Sequence, residues 1–172
     1  MVTGGNKGVG FACCQLLGKD SAVHCVLTAR NRHRGEAACE TLRRAGLDVD
    51  FMQLDVSSEK SVSSFVQQLV TKYGRLDYLI NNAGYGCGHG STRGATVCAV
   101  LLAPTPCAVS ALVAGRVLVE TGSASDMARQ TLAVNFYGVE RMCRHLAPLV
   151  AKSDRGRIVK CVAQRVFAAA CL

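Results

Sequence analysis

The chain has 172 residues and a formal net charge of +8, with 49% of its residues apolar and 19% charged. That balance suits one compact globular domain and excludes a wholly disordered chain. The positive charge is scattered apart from a local cluster at Arg30, Arg32, His33 and Arg34. No aromatic residues interleave with that cluster, so a nucleic-acid stacking surface is not indicated.

In chain order, Met1, Val2 and Thr3 read as the tail of a first strand. Residues 10–17 read as a helix stopped by Gly18, and residues 23–29 as a short apolar strand. Residues 34–45 are helical and closed by Gly46, and 49–56 form the next strand. Val62, Phe65, Val66, Leu69 and Val70 recur at helical spacing on one predicted face, with Gly74 as the stop. Residues 78–81 are a strand running into Asn82, Ala83 and Gly84. Strand and helix signals that alternate in this way predict an α/β fold with a parallel sheet.

Periodicity is lost at 85–122, which is rich in Gly, Cys, Ala and Thr. This stretch is expected to be an irregular insertion in a single domain spanning 1–172, since so long a loop is unusual inside a compact domain. Residues 125–151 regain helical character, and 156–163 read as a further buried strand. The stretch 94–115 carries no charge and is long enough for a bilayer. Pro104, Pro106, its many small residues and the soluble-looking flanks argue against a span.

The ten cysteines include no C-x-x-C spacing, which excludes the zinc and thioredoxin patterns, and no metal site is expected. Free, mostly buried thiols in a reducing compartment are the expectation. Met1 leads almost directly into a glycine loop, so no signal peptide is expected and the predicted location is the cytoplasm.

That loop is the strongest motif. Thr3, Gly4, Gly5, Asn6, Lys7, Gly8, Val9 and Gly10 form a T-G-x-x-x-G-x-G pattern between a strand and a helix. Glycines allow a tight turn and close approach to a pyrophosphate, and the helix start aims free N–H groups and a positive dipole end at the phosphates. An ordinary turn is the alternative, and the position at the end of a first strand favours the phosphate loop.

The spacing resembles that of the classical short-chain dehydrogenases/reductases. The runs VTGGNKGVG, LTARNRHRG and NNAG are similar to the carbonyl-reductase branch of that family. The resemblance covers residues 1–84 and resumes over about 123–163, whereas 85–122 do not share it. It implies a Rossmann-like doubly wound parallel sheet, incomplete here, with strands 1 to 5 of the family's seven.

Cofactor choice is read at the end of the second strand, where a carboxylate would bind a free ribose 2′-hydroxyl and an arginine a 2′-phosphate. The chain has Ala29-Arg30-Asn31 there, with no carboxylate. Arg30 can make a forked, charge-assisted contact to phosphate, with Lys7 and Arg34 adding positive charge, so NADPH is expected rather than NADH. Solvated surface cations are the alternative. By resemblance, Asp55 and Val56 meet the adenine; Asp55 could otherwise cap the following helix. Asn82, Ala83 and Gly84 match the family's turn after the fourth strand, beside the cofactor; a plain Asn-Ala-Gly turn is the alternative.

The family reduces a carbonyl with hydride from the nicotinamide, using a Tyr as proton donor, a Lys four residues later, a Ser and a helix Asn. The Lys brings the tyrosine pKa toward working pH. Asn135, in the run LAVNFYG, matches the helix Asn; a polar residue bending a helix is the alternative. Gly156, Arg157, Ile158 and Val159 match the strand that should end in serines, and the catalytic Ser position falls on Ala163. None of Tyr73, Tyr78, Tyr85 and Tyr137 has Lys four residues on.

The expectation is a short-chain dehydrogenase/reductase-like oxidoreductase, an NADPH-dependent carbonyl reductase by descent, inactive as this chain stands. Its expected partners are the dinucleotide and a small carbonyl substrate, with no nucleic acid and no membrane. A non-catalytic NADPH-binding protein and a non-functional fragment are the alternatives, with 85–122 as a translated insertion such as a retained intron.

Overall fold

A parallel sheet organises the chain, and its middle position is its shortest piece. The computed structural model describes residues 1–85 and 124–161. Its elements are α1 (Gly8–Leu17), β1 (Cys25–Ala29), α2 (Arg32–Arg44), β2 (Val49–Gln53), α3 (Glu59–Tyr73), β3 (Tyr78–Asn81), α4 (Ala124–Asn135), α5 (Tyr137–Val150) and β4 (Arg157–Lys160). β1 pairs in parallel with β2, with Cys25 opposite Val49, and β3 pairs in parallel with β4, with Tyr78 opposite Arg157. Val2 joins the two pairs by parallel bridges to Leu27 and Ile80. Its N–H donates to the Val26 carbonyl at 2.9 Å and its carbonyl accepts from Thr28 N at 3.0 Å. The spatial order is therefore β2, β1, the Val2 segment, β3, β4.

Helices cover both faces, and alternation along the strands sorts the core into two layers. Leu27, Cys25 and Val49 pack with Cys14 of α1 and with Ala38, Cys39 and Leu42 of α2. Val26, Met52 and Leu79 pack instead with Val62, Phe65 and Leu69 of α3 and Met142 and Leu146 of α5. All five residues of β1 are buried, as a strand covered on both faces requires. Each fully buried Leu or Phe contributes about 2 kcal/mol.

Several expectations shift. α2 begins at Arg32 because the Asn31 side chain caps it, accepting from Arg34 N at 2.9 Å. β2 ends at Gln53, where Leu54 N still reaches the Ala29 carbonyl before the chain turns through Asp55. The apolar face of α3 is narrower than its spacing suggests, for Val70 is 45% exposed. The predicted helix over 125–151 is two helices, broken at Phe136 with φ −112 and ψ −68. The strand expected to be buried, 156–163, is Arg157–Lys160 with exposed and half-buried residues, because within the described residues it pairs on one side only.

Cys14, Cys25 and Cys39 are buried, whereas Cys13, Cys143 and Cys161 are half-buried, and none of these six forms a disulfide. A hydrogen bond with Cys25 and burial push the Cys14 thiol up, so it behaves as a neutral core residue. No helix among the described residues is long and apolar enough to cross a membrane. Most of the 85–122 stretch, the uncharged run at 94–115, and Cys87, Cys98, Cys107 and Cys171 lie outside the described residues, as does Ala163.

Candidate functional site

At the carboxyl ends of the strands, three turns meet around the glycine loop. Thr3 is the knot. It is buried, and its hydroxyl accepts from the N–H groups of Asn82 and Ala83, both at 2.9 Å, and donates to the Ile80 carbonyl at 3.4 Å. Asn82 Nδ2 donates in return to the carbonyls of Thr3, at 3.0 Å, and Gly4, at 3.2 Å. Gly5 N ties the loop to β1 through the Thr28 carbonyl at 2.9 Å. The loop's shape is thus fixed by backbone and buried side-chain bonds, leaving its outer face free.

The glycines have distinct reasons. Gly4, at φ +65, sits so close to the next turn that a Cβ would lie 2.9 Å from Ala83 Cα. A Cβ on Gly10 would overlap Asn82 Nδ2 and lie 2.5 Å from the Gly4 carbonyl oxygen. Gly8 has φ +57 yet faces open space, with nothing within 4 Å of where its Cβ would stand. α1 starts there with Lys7 as its cap residue and no side-chain cap hydrogen bond. A helix start without a side-chain cap leaves N–H groups and a positive dipole end that suit an anion.

Cations lie on the glycine loop, directly after β1 and in the first turn of α2. Lys7, Arg30 and Arg34 are exposed, and their side chains make no ion pair among the described residues. Arg30 follows β1 directly, and its carbonyl accepts from Gln53 Nε2 at 3.0 Å, which fixes the backbone beneath the guanidinium. After β2, Asp55 Oδ1 accepts from Ser57 N at 2.9 Å and Ser57 Oγ at 2.6 Å. Asp55 is not the cap of α3, a role taken by Ser58, which accepts from Ser61 N. Its other oxygen makes no hydrogen bond among the described residues and remains available. Asn6 and Val9 lie half-buried on the loop, and Gly84 is exposed beside it.

Asn135 ends α4 at the helix break and reaches back to the loop. Its Oδ1 accepts from Tyr85 N at 2.8 Å and its Nδ2 donates to the Tyr85 carbonyl at 3.0 Å. Both readings of this residue fit the geometry, since it stands at a bend and ties that bend to the turn at 82–84. Sequence reasoning missed Tyr85 as its partner, because a backbone contact leaves no trace in residue type. No group of three or more possible metal ligands occurs among the described residues.

The described geometry fits a dinucleotide. A cradle with open space at Gly8, an uncapped helix start, unpaired cations after β1 and a free carboxylate oxygen after β2 follow one another along the strand ends.

Comparisons with known proteins point the same way. The chain is similar to the (+)-neomenthol dehydrogenase of Arabidopsis thaliana, 34% identical over 92% of this chain and 51% of that protein. It is 33% identical to the carbonyl reductase (NADPH) 1 of Homo sapiens, over 92% of this chain and 46% of that one. Among solved structures, the menthone neomenthol reductase from Mentha piperita superposes with a TM-score of 0.68 at 30% identity, covering 92% of this chain and 58% of that one. A metagenomic short-chain oxidoreductase in complex with NADP gives 0.65 at 25% identity, covering 92% and 59%. The chain spans about half the length of the curated relatives it matches. The model of the short chain dehydrogenase family matches residues 1–99, and the chain belongs to that family.

Proposed function

We propose that the described residues form a single NADPH-binding domain, in a cytoplasmic protein whose family chemistry is reduction of a small carbonyl substrate. The observation that carries the reading is the loop at Gly8, open where a Cβ would stand and built so that Gly4 and Gly10 admit no side chain. Thr3, Gly4, Asn6, Lys7, Gly8, Val9 and Gly10 would shape the pyrophosphate site. Arg30, with Lys7 and Arg34, would take the 2′-phosphate, where a guanidinium fork matches the anion. Asp55 and Val56 would meet the adenine, and Asn82, Ala83 and Gly84 would floor the site beside the nicotinamide half. When bound, the cofactor supplies a hydride.

Asn135 is the one member of the family's catalytic group that these 172 residues supply. They contain no Tyr with Lys four residues on, and Ala163 stands where the family has Ser. That observation favours a polypeptide that binds NADPH without turning over a carbonyl. The test is thermal unfolding during titration with NADPH and NADH, since a ligand of the native state raises the melting temperature. A larger rise with NADPH and no carbonyl-dependent NADPH oxidation are expected. No shift with either nucleotide overturns the cofactor reading, a preference for NADH overturns the role of Arg30, and turnover by the purified chain overturns the loss of catalysis.

A further inference from the structure

α5 lies directly on the turn that carries Asp55. A Cβ on Gly138 would come 2.9 Å from Val56 Cγ2, so the helix backbone packs against the residue after the carboxylate. One turn along the helix, Arg141 is only 17% exposed. Its Nη1 donates to the Val56 carbonyl at 2.7 Å and its Nε to Glu59 Oε2 at 2.8 Å. Glu59 is further held by Arg144 at 2.9 Å and His145 at 2.6 Å. The turn is closed from its other side by Ser61 Oγ, which accepts from Asp55 N at 3.0 Å, and by the two Ser57 bonds to Asp55 Oδ1. One carboxylate oxygen is thus locked while Oδ2 is left open.

We propose that Arg141 is a positioning residue for cofactor recognition: by gripping the Val56 carbonyl and Glu59 together, it fixes the Asp55 turn so that Asp55 Oδ2 accepts a hydrogen bond from the adenine amino group. This rests on the NADPH-binding reading above. Base selectivity in this chain then depends on a helix residue that does not touch the cofactor. The planar guanidinium holds two acceptors at different angles in one pre-organised fork, a geometry that the compact, rotatable ammonium of lysine reproduces only in part.

The probes are NADPH and its hypoxanthine counterpart, which lacks the amino group. Wild-type chain should prefer NADPH by about tenfold, the worth of one hydrogen bond to a carboxylate. Arg141→Met should abolish that preference while binding the hypoxanthine form as wild type does. Arg141→Lys should restore part of it, and Arg144→Ala, which loosens Glu59 but leaves the Val56 carbonyl held, should keep it. If the wild type binds neither nucleotide, the cofactor reading itself fails. If it binds both equally, or if Arg141→Met keeps the preference or weakens both nucleotides alike, the positioning role is overturned. Should Arg141→Met not fold, the lysine variant decides: an unchanged preference in Arg141→Lys overturns the role.

Discussion

Two charged groups at opposite ends of the sheet, the Asp50 cluster and the cations beside the glycine loop, differ in how they are paired. At the amino ends of β1 and β2, Asp50 takes hydrogen bonds from Lys72 Nζ and Tyr73 OH, both at 2.5 Å, and pairs with Arg43. His24 lies between Asp48, at 2.8 Å, and Asp50, at 3.6 Å. At the carboxyl ends, Lys7, Arg30 and Arg34 have no acidic partner among the described residues, and one oxygen of Asp55 is open. Paired charges hold a fold together, while unpaired ones grouped around a backbone cradle are groups arranged for a ligand. The Asp50 cluster is therefore expected to carry stability and the loop-side cations to carry the proposed binding, while the paired Glu59 group braces the turn between them, and each expectation can be tested alone.

The largest expected effect is at the paired end. Asp50→Ala leaves Lys72, Tyr73 and Arg43 without their common acceptor, and should cost about 2 kcal/mol, discounted for the partly exposed lysine and arginine. Nucleotide affinity should stay within twofold (about 0.4 kcal/mol) of wild type. A loss of NADPH binding in proportion to stability would break the contrast between the two ends. Acid should act through the same residue. Partial burial pulls the Asp50 carboxyl upward, but hydrogen bonds from Lys72 and Tyr73 and the lysine charge outweigh it and hold the group well below the usual carboxylate range. A depressed folded-state pKa gives stability that is present above the unfolded value and lost as pH falls below it. Melting temperature should therefore drop below about pH 4, and Asp50→Asn should flatten that part of the curve. Glu59, held low by its His145 hydrogen bond with Arg141 and Arg144, has the same sign.

Arg30→Ala sharpens the other side. The side chain is exposed and unpaired among the described residues, so the melting temperature without nucleotide should not move. NADPH should bind about tenfold more weakly, the range of one charge-assisted contact, and NADH should be unaffected. Equal weakening of both, measured by titration, would place Arg30 away from the 2′-phosphate.

Much of this contrast was readable in the residues and some was not. The alternation of apolar strands and amphipathic helices located β1, α3 and β3, and the glycine spacing located the loop, because both are local patterns. The hydroxyl of Thr3 bonded to residues 82 and 83, the Asn135 contact to Tyr85 and the Arg141 contact to Val56 join positions 50 to 85 residues apart. Local periodicity carries no record of such pairs. The exposure of Val70 and β4 was also illegible, since apolar spacing says which residues share a face and not what covers it.

Gly8 yields the smallest effect and the most direct test of the loop. At φ +57 an alanine is strained, by about 1 kcal/mol, although its Cβ would meet nothing. Gly46, in the turn after α2, has φ +77 and equally open surroundings, so Gly46→Ala should lower stability by a similar amount. The two variants should separate only when nucleotide is added. If the phosphates lie against the loop, the new methyl group of Gly8→Ala stands where they must lie, and NADPH and NADH should both weaken by roughly fivefold, since the pyrophosphate is common to both. Gly46→Ala, with the same strain in a turn away from the cradle, should bind both as wild type does. Matched affinities in the two variants would mean that the open space at Gly8 holds no phosphate, and the binding end of the sheet would lose its centre.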